Sequence, residues 1–175
     1  MIGQTIGNYR IVRELGKGVY GLAYAHSVRF DRYDNLWVVD KAANTVIRFN
    51  PAGLVTLNLG RRTEGPDEFE MYNSAKVAAN PPKHVDGMFN GSTDVTWDAQ
   101  DNIYIGGQTD VDFSALTNYD YLVIKYNSTG TITWFRTDGF PALQADIPSS
   151  MVVDNSGNIA ITGYSDFDSG LTTVL

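Results

Sequence analysis

"SVRFDRYDNLWVVD", residues 27–40, alternates apolar and polar side chains as far as Asp31, passes three residues, reaches Asn35 and resumes as an aromatic and β-branched run. Two other stretches align with it without gaps, "DVTWDAQDNIYIGG" at 94–107 and "SMVVDNSGNIAITG" at 150–163. In each, an aspartate (Asp31, Asp98, Asp154) precedes an asparagine (Asn35, Asn102, Asn158) at the same separation. Asp and Asn suit a tight hairpin at these places, because their short side chains bond the local backbone and tolerate left-handed conformations. The reading is strand, turn, strand, three times over.

The first two units continue alike. "TVIRFNPAGLVTLNLG" (45–60) and "YLVIKYNSTGTITWFRT" (121–137) each predict two more strands joined by a turn, "NPAG" or "NSTG". Four short antiparallel strands repeated along a chain are the pattern of propeller blades. The units start 67 and 56 residues apart, longer than a compact blade needs, and the excess falls in loops. The expected organisation is an N-terminal β segment (1–25), a first blade (26–60), a long loop (61–93), a second blade (94–139) and a partial third blade (140–175). The fold class expected is therefore all-β, a partial β-propeller of about two and three-quarter antiparallel blades, where a closed ring takes about four or more. Bare blade faces and strand edges seek partners, so completion by self-association into a homo-oligomer is expected.

Composition agrees with a folded β protein: of 175 residues, 43% are hydrophobic and 12% aromatic, with 17 glycines. There is no cysteine, which excludes disulfides and thiolate metal sites and leaves the compartment undetermined. No apolar run is long enough to span a bilayer, and "MIGQTIGNYR" lacks the basic-then-apolar profile of a secretory signal, so no membrane partner is expected. The net charge of −7 is unevenly spread: residues 1–85 hold eleven Lys/Arg and eight Asp/Glu, and residues 86–175 hold two Lys/Arg and twelve Asp. An acidic second half of this kind repels nucleic acid, and opposite ends could orient a head-to-tail contact.

Two propeller families are resembled by different parts of the chain. Residues 26–105, including "HSVRFDRYDNLWVVDKAANTVIRFNPAGLVTLNLGRR" and "PPKHVDGMFNGSTDVTWDAQDNIYI", resemble NHL-type repeats, specifically bacterial relatives of the peptidyl-α-hydroxyglycine α-amidating lyase. Residues 103–170, including "NIYIGGQTDVDFSALTNYDYLVIKYNSTGTITWFRTDG" and "SSMVVDNSGNIAITGYSDFDSG", resemble the bacterial β-propeller repeat of large, often secreted or surface proteins. The change of type falls near Ile105 and Gly106, inside a strand, and implies a mosaic or chimera of family fragments, natural or designed.

"ELGKGVYGLAY" (14–24), within residues 5–24, resembles the Gly-rich loop that opens a bacterial Ser/Thr kinase domain, through Gly16, Gly18, Gly21 and Tyr24. Such a loop acts only with a strand lysine, a catalytic-loop aspartate and a metal-binding aspartate. Lys41 belongs to the repeat, and neither H-R-D nor D-F-G follows, so the glycines are expected to turn a strand. The lyase resemblance implies zinc held by histidines of several blades. His26, at the start of an inner strand, matches one such position, whereas His84 does not, and "GGQTD" replaces the stretch expected after the second inner hairpin. A catalytic zinc site wants three protein ligands, so His26 is expected to be solvated or packed at a turn. Asp110 and Asp112 in "TDVDF" recur 56 residues on as Asp166 and Asp168 in "SDFDS", on the same loop of successive units. Calcium, which takes six to eight oxygens, is the one cofactor these carboxylates could collect, and the alternative is a solubilising rim. Trp37, Phe49, Trp97, Tyr104, Tyr126, Trp134 and Phe135 are expected to pack blade on blade, and the sequons at Asn90 and Asn127 are expected in turns. The function expected is a non-catalytic scaffold or interaction module with no cofactor. The alternatives are a metal-dependent lyase-like enzyme and a vestigial nucleotide-binding segment.

Overall fold

The computed structural model of the chain describes residues 5–6, 9–10, 24–60, 90–110, 119–138 and 145–165. Among them lie twelve strands and no helix. β1 (Thr5–Ile6) and β2 (Tyr9–Arg10) pair as a short ribbon. β3 (Ala25–Phe30), β4 (Leu36–Asp40), β5 (Thr45–Phe49) and β6 (Val55–Gly60) form the first antiparallel sheet, in chain order. β7 (Asn90–Trp97), β8 (Ile103–Asp110), β9 (Tyr119–Tyr126) and β10 (Ile132–Asp138) form the second in the same order. β11 (Asp146–Val153) and β12 (Ile159–Ser165) form a third, two-stranded sheet. The all-β, blade-like reading holds, as an open segment of a propeller. β7 begins at Asn90, so that sequon asparagine opens a strand instead of lying in a turn.

Five hairpins are built to one pattern. Asp31, Asp98 and Asp154, and likewise Asn50 and Asn127, each use the backbone N–H to bond the carbonyl four residues on, and the carbonyl to accept from the N–H three residues on. The side-chain oxygen of each accepts the N–H of the fourth residue on. The third residue after each has positive φ: Asp34 61°, Gly53 83°, Asp101 62°, Gly130 90° and Gly157 83°. That conformation favours Gly, Asn or Asp, which is what the sequence supplies. In the three inner hairpins the pair is reciprocal, with Asn35, Asn102 and Asn158 each donating Nδ2–H to the aspartate at 2.8 Å.

The same constellation extends outward in the first two sheets. Trp37 Nε1 donates to Asp31 at 2.9 Å and lies under the Arg48 guanidinium, 5.4 Å from the ring centre. Tyr104 Oη donates to Asp98 at 3.0 Å and lies under the Lys125 ammonium at 4.9 Å. Beyond each outer turn a bulge leaves one threonine unpaired, Thr56 facing Arg48 and Thr133 facing Lys125, and each hydroxyl donates to the carbonyl of that basic residue. A bulge shifts the side-chain alternation by one. Thus Ile132 and Trp134, two apart, serve opposite faces of the second sheet.

Packing is sheet on sheet. Trp37, Val39, Val46 and Leu59 of the first sheet meet Val95, Ile103, Ile105, Leu122 and Ile124 of the second. Trp37 and Trp97 tilt together with centres 5.2 Å apart. The other face of the second sheet, through Tyr104, Tyr121 and Val123, meets Met151 and Ile161 of the third. Burying an aromatic or aliphatic side chain of this size stabilises by roughly 1.5–3 kcal/mol, which makes these two seams the main apolar source of stability. One aromatic expectation is corrected. Phe135 is 54% exposed, because the bulge at Thr133 moves it to the stretch of the second sheet where the first gives little cover.

Candidate functional site

The first strands of the three sheets converge on one carboxylate. Ser27, Asp94 and Ser150 hold the same place in the three repeats, on β3, β7 and β11. Ser27 Oγ donates to Asp94 Oδ1 at 2.9 Å, and Ser150 Oγ to Oδ2 at 3.0 Å. Arg29 adds Nε to Oδ1 at 2.7 Å and Nη2 to Oδ2 at 2.5 Å, and the Met151 amide reaches Oδ2 at 2.8 Å. Burial by itself would raise the Asp94 pKa. The hydrogen bonds from Arg29, the Met151 amide and Ser27 outweigh it and hold the group below its ordinary value. A carboxylate so fully engaged fastens three sheets and has no lone pair left over for substrate chemistry.

An open cleft of about 450 Å³ lies at the opposite end of the sheets from the Asx turns. Its walls are the start of β3, the turn 41–44, Gly91 on β7 and Gln108 on β8. Asp40, fully buried, fixes that turn: its Oδ1 accepts the Tyr24 amide at 2.9 Å and the Ala43 amide at 3.0 Å. Asn44, at φ 52°, turns its side chain across the seam so that Oδ1 accepts the Gly91 amide at 2.9 Å. Gly91 has φ 73°, and a Cβ there would stand 3.0 Å from the Gln108 side chain, so glycine keeps the floor open.

His26 is exposed on the cleft wall, with the Tyr24 ring 6.1 Å away edge-on. Its Nδ1 lies 2.9 Å from the Thr93 carbonyl oxygen. A carbonyl can only accept, so Nδ1 carries the proton and Nε2 keeps its lone pair in the neutral ring. The Gln108 Oε1 is buried and accepts no hydrogen bond from the described residues. Tyr24 and Lys41 also line the cleft. Its lining is mixed polar and apolar.

Of the residues weighed from sequence, His26 lines this cleft, as do Tyr24 and Lys41, which the sequence raises only in connection with a nucleotide loop. Among the described residues no three His, Cys, Asp or Glu cluster closely enough to hold a metal ion. The backbone of Asp110 ends β8, opposite Tyr119, while Asp112, Asp166, Asp168 and His84 lie outside the described residues. Gly16, Gly18 and Gly21 lie outside them as well. Asp94, Asn44 and Gln108 were not singled out by sequence reasoning. For Asp94 a signal existed, since it is the one charge in a column otherwise held by serine. Among the described residues no helix is long and apolar enough to cross a membrane.

No family model matches the chain, and no curated protein sequence is similar to it. Solved structures with a similar chain path include a streptogramin B lyase, at 12% identity and a TM-score of 0.42, over 84% of this chain and 38% of that one. They also include a catalytically inactive virginiamycin B lyase from Staphylococcus aureus with quinupristin, at 14% identity and a TM-score of 0.43, over 95% of this chain and 43% of that one. The chain spans about two fifths of the length of these proteins.

Proposed function

We propose that the chain is a non-catalytic β-propeller-type module, a scaffold whose contact surface for a partner is the cleft around Tyr24, His26, Lys41 and Gln108. The observation that carries this reading is the division of polar groups. At the inner strands they are consumed in tying sheets together, whereas Tyr24 and His26 are exposed on the cleft wall. The ammonium of Lys41 favours ligands with a carboxylate or phosphate group. The reading is tested by following backbone amide resonances while acetate, inorganic phosphate and a short acidic peptide are titrated in. Saturable shifts at Ala42 and Gly91, lost in Lys41→Gln, are expected from at least one probe. Their absence with all three would overturn it.

A lyase-like enzyme is the second reading, and one observation favours it. A histidine whose Nδ1–H is held by a backbone carbonyl presents Nε2 as metal-ligating histidines do. Cleavage of a peptidyl-α-hydroxyglycine in the presence of zinc, abolished by His26→Ala, would establish this reading and displace the first. The nucleotide reading rests on the glycines of 14–24. ATP at a hundred times its dissociation constant adds about 2.7 kcal/mol to a protein that binds it, so an unchanged melting temperature in millimolar ATP disposes of that reading.

A further inference from the structure

The three repeats act as internal controls for one another, since the same position can be compared with and without a neighbouring sheet. Val28, Val95 and Met151 are equivalent by the alignment of 27–40, 94–107 and 150–163. Val95 is 0% and Met151 1% exposed, each covered by the preceding sheet, whereas Val28, on the first blade among the described residues, is 58% exposed. The next inward pair behaves alike: Trp97 and Val153 are partly buried, and Phe30 is 68% exposed. At the other end of the stack the pattern reverses. Val39 and Gly106 are buried beneath the following sheet, and their equivalent Thr162 is exposed beside Val152 and Tyr164 on the third.

We infer that a second copy of this chain docks head to tail, its β3 strip of Val28 and Phe30 seating on the Val152–Thr162 face of the third sheet. Val38, Ile47 and Phe49, farther out on the leading face, are already buried, so the contact runs along the inner strand. The repeat correspondence sets the partners. Trp97 packs on Trp37 within the chain, which puts Phe30 of one copy over the small Ala160 of the other. Large against small fits without a clash. Because the two surfaces differ, the contact is heterologous, and such contacts form rings when the rotation closes. Two copies bring the described blade-like sheets β3–β6, β7–β10 and β11–β12 to six, within the range of closed propellers.

The inference is independent of the cleft, and its readout is mass. Light scattering of the full chain at about 10–200 µM is expected to give twice 19.3 kDa. Two variants, Phe30→Asp on the leading face and Thr162→Arg on the trailing face, are each expected to give monomer with the parent β-sheet circular dichroism. Thr162 is exposed and polar, so its replacement leaves the core intact. Mixed together, the two variants retain one good leading face and one good trailing face, and a one-to-one complex returns. A monomeric parent throughout this range would overturn the inference. So would a Thr162→Arg protein that stays dimeric, or a mixture that stays monomeric.

Discussion

Arg29 on β3 grips Asp94 on β7 with two prongs, Nε to Oδ1 at 2.7 Å and Nη2 to Oδ2 at 2.5 Å, in a carboxylate that is 1% exposed. Arg29 keeps 36% of its side chain exposed, so removing Asp94 costs chiefly the acceptor shared by several donors, about 1–3 kcal/mol. Asp94→Ala should lose that much stability in urea denaturation, since Ser27, Arg29, Ser150 and the Met151 amide all lose their acceptor. Arg29→Met should lose less, because four donors remain on the carboxylate: Ser27, Ser150 and the amides of Val95 and Met151. Equal losses would show that the pair, and not the surrounding set of donors, dominates.

Acid should loosen the rim of Asx turns. Burial alone would raise the Asp98 pKa, but Asn102, through its side chain and amide, and then Tyr104 and the Gln100 amide, bring it from 3.8 to about 2. A carboxyl depressed in the folded state contributes stability that is complete above its unfolded pKa and is lost as pH falls toward the folded value. For Asp98 that window runs from 3.8 down to about 2, and the contribution is up to about 2 kcal/mol. Asp31 and Asp94 are shifted in the same direction. Denaturation midpoints measured at stepped pH should fall through this window, and less steeply in Asp98→Asn. A variant profile that superimposes on the parent's would remove Asp98 from the account.

Gly163 on β12 has no room for a side chain. A Cβ there would stand 2.3 Å from the Ile147 carbonyl oxygen and 2.7 Å from Tyr121 Oη. Backbone cannot yield as a flexible side chain does, so Gly163→Ala should force β11 and β12 apart and cost about 1–3 kcal/mol. Urea denaturation measures the cost, and an unchanged midpoint would mean that Gly163 has more room beside β11 and Tyr121 than described.

Trp37 and Phe135 provide a matched contrast. Trp37 is 1% exposed and joins two sheets, while Phe135 is 54% exposed. Trp37→Ala should cost about 3–5 kcal/mol, with loss of the blue-shifted component of the tryptophan emission, and Phe135→Ala about 0.5 kcal/mol or less. Comparable losses would contradict the change of face at Thr133.

The repeat was legible because its information is local. An Asp or Asn bonding its own turn needs only four neighbours, and all of them are in the quoted stretches. The strand order followed, since a meander adds each strand beside the last. What escaped was set by distance or by a one-residue shift. Asp94 meets partners 65 and 57 residues away, so nothing near it in the chain announces them. Phe135 keeps a perfect alternation with its neighbours on paper, but the bulge at Thr133 breaks the phase. The cleft was legible only at Tyr24, His26 and Lys41, because Asn44, Gly91 and Gln108 are brought together by the seam between two sheets.

The five Asx turns lie at one end of the stack, and the polypeptide leaves β6, β8 and β10 at the other, where residues 61–89, 111–118 and 139–144 are attached. Variation in length is therefore quarantined on the side that bears the cleft. An engineer could graft new recognition segments at those three junctions, one at a time, while the far rim holds the register of every strand.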